Sequence, residues 1–321
     1  MAFVSDRGKF LLKRRPRGKD DLNRVEFAHA VQTHLSEADF PVPSLIPTRY
    51  EGNTALNLEN NIYEVFRFVA GSRYDGSSQE TIDTGANLAG FHELLADFTF
   101  KWDPLRSTFH DSSTVRRHLR AIGSNGRSQS TKSSEEHPRS PNPERKTAEA
   151  LMALYNDSSI RVNRLGFESW DQQVVHGDWH PGNMLFSQGR IVAVLDFDSV
   201  KIAPPITDLA NAMLQFSIVG GRPNPSDWPD YFDQDKLVQV LVGYCRQIPL
   251  DAEKLNCLVD LMIETMIAEA VLPIAATGFF GHLHGRDFLK MILRKARWLD
   301  SHRTELTEAI RTQSFKPSAA G

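Results

Sequence analysis

The sequence predicts an α+β chain in two lobes, a small, mainly antiparallel β unit followed by a larger, mainly helical one. Three observations predict it. Short apolar runs separated by turn residues fill residues 1–70, whereas helix-spaced apolar residues dominate from about residue 80 onward. The chain has 321 residues, 40% hydrophobic and 24% charged, the composition of a soluble globular protein with room for about two cores.

The elements follow in order. Met1–Ser5 and Lys9–Arg14 read as strands around Asp6-Arg7-Gly8. Leu22, Val25, Ala28, Val31 and Leu35 recur at helical spacing, with Asp20 or Asp21 as cap and Pro41-Val42-Pro43 as terminator. Residues 45–69 read as strands with a turn at Glu51-Gly52-Asn53, and Gly71 ends the apolar run Tyr63–Val69. Ser77-x-x-Glu80 is a capping box in front of Ile82, Ala86, Ala89 and Leu94. Residues 123–146 hold no aliphatic residue and read as a disordered surface insertion, because such a segment cannot bury enough apolar area to offset its ordering entropy. The expected organisation is a lobe over 1–70, a lobe over 71–310 and a flexible tail over 311–321.

Composition excludes several classes. Lys and Arg number 37 against 40 Asp and Glu, a formal charge of −3, which argues against a dedicated nucleic-acid binder. Cys245 and Cys257 are the two cysteines and form no CxxC, so a reducing, cytoplasmic setting is expected. Met1-Ala2-Phe3-Val4 is too short for a signal h-region, and Asp260, Glu264 and Glu269 interrupt the most apolar stretch, so no membrane span is expected. The basic run Arg7–Lys19 is the one local imbalance: it reads either as a solvated edge hairpin or as a surface facing phosphates.

The chemistry concentrates in Val174–Phe186 and Ile191–Asp198. Gly177, Pro181 and Gly182 make a loop, and two apolar strands around Ser187-Gln188-Gly189-Arg190 make a hairpin. The hairpin brings Asn183 near Asp196, with Asp178 on the preceding loop. Two carboxylates and an amide oxygen suit a hard cation such as Mg²⁺ that is completed by substrate phosphates. His176 and His180 are four apart, but the intervening Gly177 and neighbouring Pro181 prevent the helix a zinc pair needs.

His176-Gly177-Asp178-Trp179-His180-Pro181-Gly182-Asn183, followed by Asp196-Phe197-Asp198, resembles the aminoglycoside phosphotransferase and choline kinase family of the protein-kinase-like fold. The resemblance implies a small-molecule kinase that uses ATP and Mg²⁺ to phosphorylate a hydroxyl. By motif position it implies Asp178 as the group that orients and deprotonates the acceptor. Asn183 and Asp196 would be metal ligands, with Asp198 supporting them or holding a second metal. His176 and Asp208, in Thr207-Asp208-Leu209-Ala210, would support the catalytic loop. Lys13, in Phe10-Leu11-Leu12-Lys13, would contact the nucleotide phosphates with Glu26 as its ion-pair partner. Glu64–Val69, including Phe66 and Phe68, would be the hinge strand beside the adenine.

The sequence departs from the family pattern in having no GxxxxGK or GxGxxG loop and no strand ahead of Met1-Ala2-Phe3-Val4. Either such a strand lies outside this sequence, or the Ser5–Lys9 turn alone covers the phosphates. A nucleotide-binding pseudokinase is the alternative reading. For the acceptor, named only as an aminoglycoside-, choline- or homoserine-like hydroxyl compound, the candidates are the acid–aromatic run Asp227–Asp233 and the helix carboxylates Glu264 and Glu269.

Overall fold

The chain opens with a hairpin, β1 (Ala2–Ser5) and β2 (Gly8–Arg14), which runs into helix α1 (Leu22–Glu37). The Asp21 side chain caps α1 by accepting from the Arg24 amide. A second hairpin, β3 (Ala55–Leu58) and β4 (Asn61–Arg67), completes an antiparallel sheet in the order β1-β2-β4-β3. The register sets Lys13 opposite Glu64 and Leu11 opposite Phe66. Strand alternation therefore puts Leu11, Lys13, Glu64 and Phe66 on one face of the sheet. The coordinates are a computed structural model that describes residues 1–15, 18, 20–49, 52–102, 104–125 and 143–314.

A turn does stand at Gly52, left-handed at φ 70°, as expected of Glu51-Gly52-Asn53, but the turn of the second hairpin lies further on. It falls at Glu59-Asn60, both left-handed at φ 50° and 59°, the two-residue geometry whose twist matches the flanking strands. Glu51 lies outside the described residues, as does most of the insertion expected over 123–146. Its described ends are helical instead: α3 (Ser113–Asn125) and α4 (Pro143–Arg164) run into it from both sides. The expected tail likewise begins later than residue 311, since α9 (Arg303–Ser314) includes 311–314.

The helical lobe adds α2 (Ser78–Leu94), α5 (Ile206–Ser217), α6 (Gln234–Cys245), α7 (Ala252–Thr277), a short hairpin β9–β10 (Phe279–Phe280, Leu283–His284) and α8 (Gly285–Ser301). Ser77 caps α2 by accepting from the Glu80 amide, while the Glu80 carboxylate turns to the Asp75 amide. Every residue of α7 from Cys257 to Val271 is buried except Glu269, so α7 is the axis of the core. Among the described residues no helix is long and apolar enough to cross a membrane.

Close packing of α2 on α6 depends on two glycines. A Cβ at Gly243 would run into the Ile82 carbonyl oxygen, and one at Gly85 into that of Val240. Backbone cannot yield as a side chain can, so Gly243→Ala is expected to cost about 3 kcal/mol, at the upper end of overpacking penalties. A denaturant midpoint equal to that of the parent chain would show that the helices can separate freely.

Candidate active site

Strand β5 (Gln173–Val175), paired antiparallel with β8 (Lys201–Ala203), delivers the loop that begins at His176. Asp208, in the first turn of α5, holds this loop: one carboxylate oxygen accepts from the His176 amide at 2.6 Å, the other from the Gly177 amide at 2.9 Å. Asp208 is buried, and burial alone would raise its pKa. The hydrogen bond and charge of His92, with His176 and the Gly177 amide, outweigh this and hold it below the usual carboxylate range. The buried His176 ring donates from Nε2 to the Leu195 carbonyl at 3.1 Å, and its Nδ1 accepts from the Asp178 amide at 3.3 Å. Burial pushes its pKa down, so the ring is neutral and fixes loop shape. Gly177 has φ +75°, and a Cβ there would stand 2.5 Å from the Ser199 carbonyl oxygen.

The loop presents Asp178, half-buried, with His180 Nε2 3.6 Å from its Oδ2. Burial disfavours the charge on Asp178. The hydrogen bond and charge of His180, with help from His176 and Asn183, prevail and keep its pKa below the ordinary value. Asn183 Nδ2 donates to both the carbonyl and Oδ2 of Asp178 at 3.0 Å. Strands β6 (Met184–Ser187) and β7 (Arg190–Val194) then return the chain, and the Leu195 amide bonds the Asn183 carbonyl at 2.8 Å. This return sets Asp196 beside Asn183, in a left-handed conformation at φ 60°.

Above these residues lies a cavity of about 320 Å³ between the sheet and the hairpin, lined among others by Leu11, Lys13, Phe66, Phe68, Asn183 and Asp196. Lys13 Nζ crosses it to Asp196 Oδ1 at 3.1 Å and Asp198 Oδ1 at 2.8 Å. Partial burial opposes the charge on Lys13, but the two carboxylates raise its pKa.

One expectation needs revision here. Glu26 does not meet Lys13; it lies on the exposed face of α1 and pairs with Lys101 at 2.8 Å. Glu26 sits about 100° round the helix from Val25, off the face formed by Val25, Ala28, His29 and Gln32 that turns inward. From that face His29 meets Glu64 at 2.5 Å, and Glu64 takes Arg15 in a two-pronged pair at 2.8 and 2.9 Å. Asp198, weighed as a support of the metal ligands or the holder of a second metal, is buried against Lys13 and Arg15, at 2.8 and 3.0 Å.

On the helical side, Glu264 does not reach the cleft. It is buried against His110 at 2.9 Å and the Ser159 hydroxyl at 2.9 Å. The run Asp227–Asp233 is tied down elsewhere: Asp230 pairs with Arg294 at 2.7 Å, Asp233 caps α6, and Lys295 donates to the Tyr231 carbonyl at 3.3 Å. Glu269 is only partly buried and lies within electrostatic reach of Asp178, with Gln215 of α5 donating to its Oε2 at 2.6 Å. Burial, then the charge of Asp178, pushes its pKa up to about 7.

The family profile described as "Phosphotransferase enzyme family" matches residues 2–241. The chain belongs to that family. It is a small-molecule kinase. No curated protein sequence matches it. Among solved structures, the aminoglycoside phosphotransferase from Alicyclobacillus acidocaldarius superposes with a TM-score of 0.65 at 14% identity, over 98% of this chain and 89% of that one. Amicoumacin kinase hAmiN, in complex with AMP-PNP, Ca²⁺ and Ami, gives 0.64 at 14% identity over 96% and 84%. A microcompartment-associated aminopropanol kinase gives 0.62 at 16% identity over 93% and 87%. At these identities the likeness is one of fold, the protein-kinase-like two-lobe fold.

The kinase carries residues near the site that motif position alone does not identify: Arg15, His29 and Glu64 behind Lys13, and Lys201, whose charge acts on Asp178. A usable signal existed for Glu64. A carboxylate inside the apolar run Tyr63–Val69 demands a buried cation, and Arg15 shares the strand parity of Lys13.

Proposed function

We propose that this kinase moves the γ-phosphoryl group of ATP to a hydroxyl of a small molecule, in the aminoglycoside-, choline- or homoserine-like class. The observation that carries the reading is the convergence of Lys13, Asn183 and Asp196 on one cavity, with Asn183 bonded to Asp178 on the adjoining loop. The cavity volume and its apolar walls, Leu11, Phe66 and Phe68, suit a nucleotide base stacked beneath the sheet. Free thiols at Cys245 and Cys257 accord with a cytoplasmic setting.

The donor set fits a hard divalent cation. Asn183 spends its amide nitrogen on Asp178, which leaves its amide oxygen as the donor to a cation, and Asp196 adds a carboxylate. Among the described residues no three His, Cys, Asp or Glu side chains form a closed metal site, so phosphate oxygens would complete the coordination. Mg²⁺ held there would offset the phosphate charge that builds during transfer. Asp178 accepts the proton of the acceptor hydroxyl and aims its oxygen at the γ-phosphorus. Lys13 orients the phosphates, with Asp198 and Arg15 keeping its ammonium in place. An ADP-release screen over amino alcohols, aminoglycosides and sugars tests the reading. Mg·ATP binding without ADP release on any acceptor would favour a nucleotide-binding pseudokinase.

A further inference from the structure

Inward-turned cations of this chain carry acceptors of their own. Lys13 reaches two carboxylates, Arg15 pairs with Glu64 and Asp198, and Lys295 donates to the carbonyls of Val219 and Tyr231. Lys201 on β8 is different. Its ammonium lies over the Phe109 ring, 4.7 Å from the centroid, and among the described residues it forms no hydrogen bond or ion pair. Burial pushes its pKa down, although the charges of Asp208, Glu269 and Asp178 pull the other way. A ring face answers one N–H bond of the three at most, so the ammonium has donors left to place.

The space beside it supplies what is missing. A cavity of about 20 Å³ is lined by Gly177, Lys201, Thr207, Asp208, Asn211 and Thr265 among others, and shares no residue with the nucleotide cavity. Asn211 on α5 is buried, and its Oδ1 has no hydrogen-bond partner among the described residues. Asp208 gives its two oxygens to the His176 and Gly177 amides. A donor without an acceptor and an acceptor without a donor thus line one space, with room for a single water, which needs roughly 10–15 Å³. Lys201 also meets the catalytic loop. A Cβ at Gly177 would stand 3.2 Å from Lys201 Cε, so the loop rests on the lysine stem one residue before Asp178.

We infer that one water is bound between Lys201 Nζ and Asn211 Oδ1, and that Lys201, anchored by it, is a positioning residue for the catalytic loop. The water accepts from the ammonium and donates to the amide oxygen, which ties β8 to α5 beside Gly177. The ammonium then stays among Asp208, which holds the loop amides, Asp178 and Glu269. There it offsets the mutual repulsion of the three carboxylates without touching the reacting atoms. The consequence for turnover rests on the phosphotransferase reading; the tie itself does not.

The test uses the full chain and two variants. Lys201→Met keeps the stem against Gly177 and removes the ammonium, and Asn211→Leu removes the acceptor at similar volume. Hydrogen exchange over Val174–Phe186 needs no acceptor substrate. It should quicken roughly tenfold in Lys201→Met and by less in Asn211→Leu, as the loop opens more often. The denaturant midpoint of Lys201→Met should stay level or rise, because a desolvated ammonium has been removed. A crystal structure of the parent chain should show one water within hydrogen-bond reach of both Lys201 Nζ and Asn211 Oδ1. ADP release from Mg·ATP is read with choline, ethanolamine, aminopropanol and kanamycin, and with water alone as acceptor. Whichever of these the parent chain uses, kcat should fall roughly tenfold in Lys201→Met while KM stays within about twofold. No water at that place, unchanged exchange over Val174–Phe186, a fallen midpoint in Lys201→Met, or an unchanged kcat each overturns the assignment. Water and exchange as expected, but with no ADP release by the parent chain, would sink the phosphotransferase reading and leave the loop anchor standing.

Discussion

Asp178→Ala is expected to lower the rate of ADP release with a competent acceptor by roughly 10²–10⁴-fold, the range general-base removal usually spans. Affinity for Mg·ATP should stay within about threefold of the parent. The asymmetry follows from position. Asp178 lies on the loop from the helical lobe, whereas the nucleotide cavity is lined by Lys13, Phe66, Phe68, Asn183 and Asp196 and does not include it. Its side chain is bonded by Asn183 Nδ2 and paired with His180, and the Asn183 amide keeps the Asp178 carbonyl as a partner after truncation. The loop is held by Asp208 and His176 through backbone and ring contacts that the substitution leaves in place. Asp178→Asn is the sharper variant, since it preserves volume and removes the basic oxygen. Normal turnover in either variant with an unchanged melting temperature would remove Asp178 from the role of base.

The parts of this site that could be read from sequence are those in which local geometry does the assembling. Asp178 and Asn183 are five positions apart and a tight hairpin returns the chain to Asp196, so their proximity follows from turn chemistry and strand alternation alone. The paired acids behind Lys13 are of another kind. Glu26 and His29 lie within one turn of α1, and which of them faces inward depends on where β4 lies against the helix. That placement is a packing outcome set across 35 residues of chain between His29 and Glu64. Glu264 and Glu269 pose the same difficulty on α7. One is enclosed by a histidine 154 residues earlier and the other is only partly buried and bonded to a glutamine of α5, although both sit in one apolar run. The β3–β4 turn was missed for a local reason: Gly52 is the stronger turn residue, but Asn60 also tolerates the left-handed conformation that a two-residue hairpin requires.

Glu64→Ala should be the most destabilising single change at the cleft, by about 3–5 kcal/mol, the cost of removing one partner from a buried charge network. Glu64 is 1% exposed and accepts from Arg15 through both oxygens and from His29, while Arg15 itself is 5% exposed and also reaches Asp198. The network thus joins β2, β4 and α1 to the turn after β7, so its loss loosens the seat of Lys13 as well as the sheet. Nucleotide affinity should therefore fall along with stability, whereas the neutral amide of Glu64→Gln, which retains the shape, should lose less of both. Acid titration offers an independent check. Burial would raise the pKa of Glu64, but the bonds from His29 and Arg15 dominate and lower it from 4.5 to about 2. A carboxyl depressed in the folded state stabilises the fold above its unfolded value, and that contribution drains away as pH falls from 4.5 toward about 2. The parent chain should lose stability across that window more steeply than Glu64→Gln, as read from denaturant midpoints at successive pH values. Parallel curves for the two proteins, or a loss below about 1 kcal/mol in Glu64→Ala, would mean that Arg15 and His29 behave as an exposed pair does.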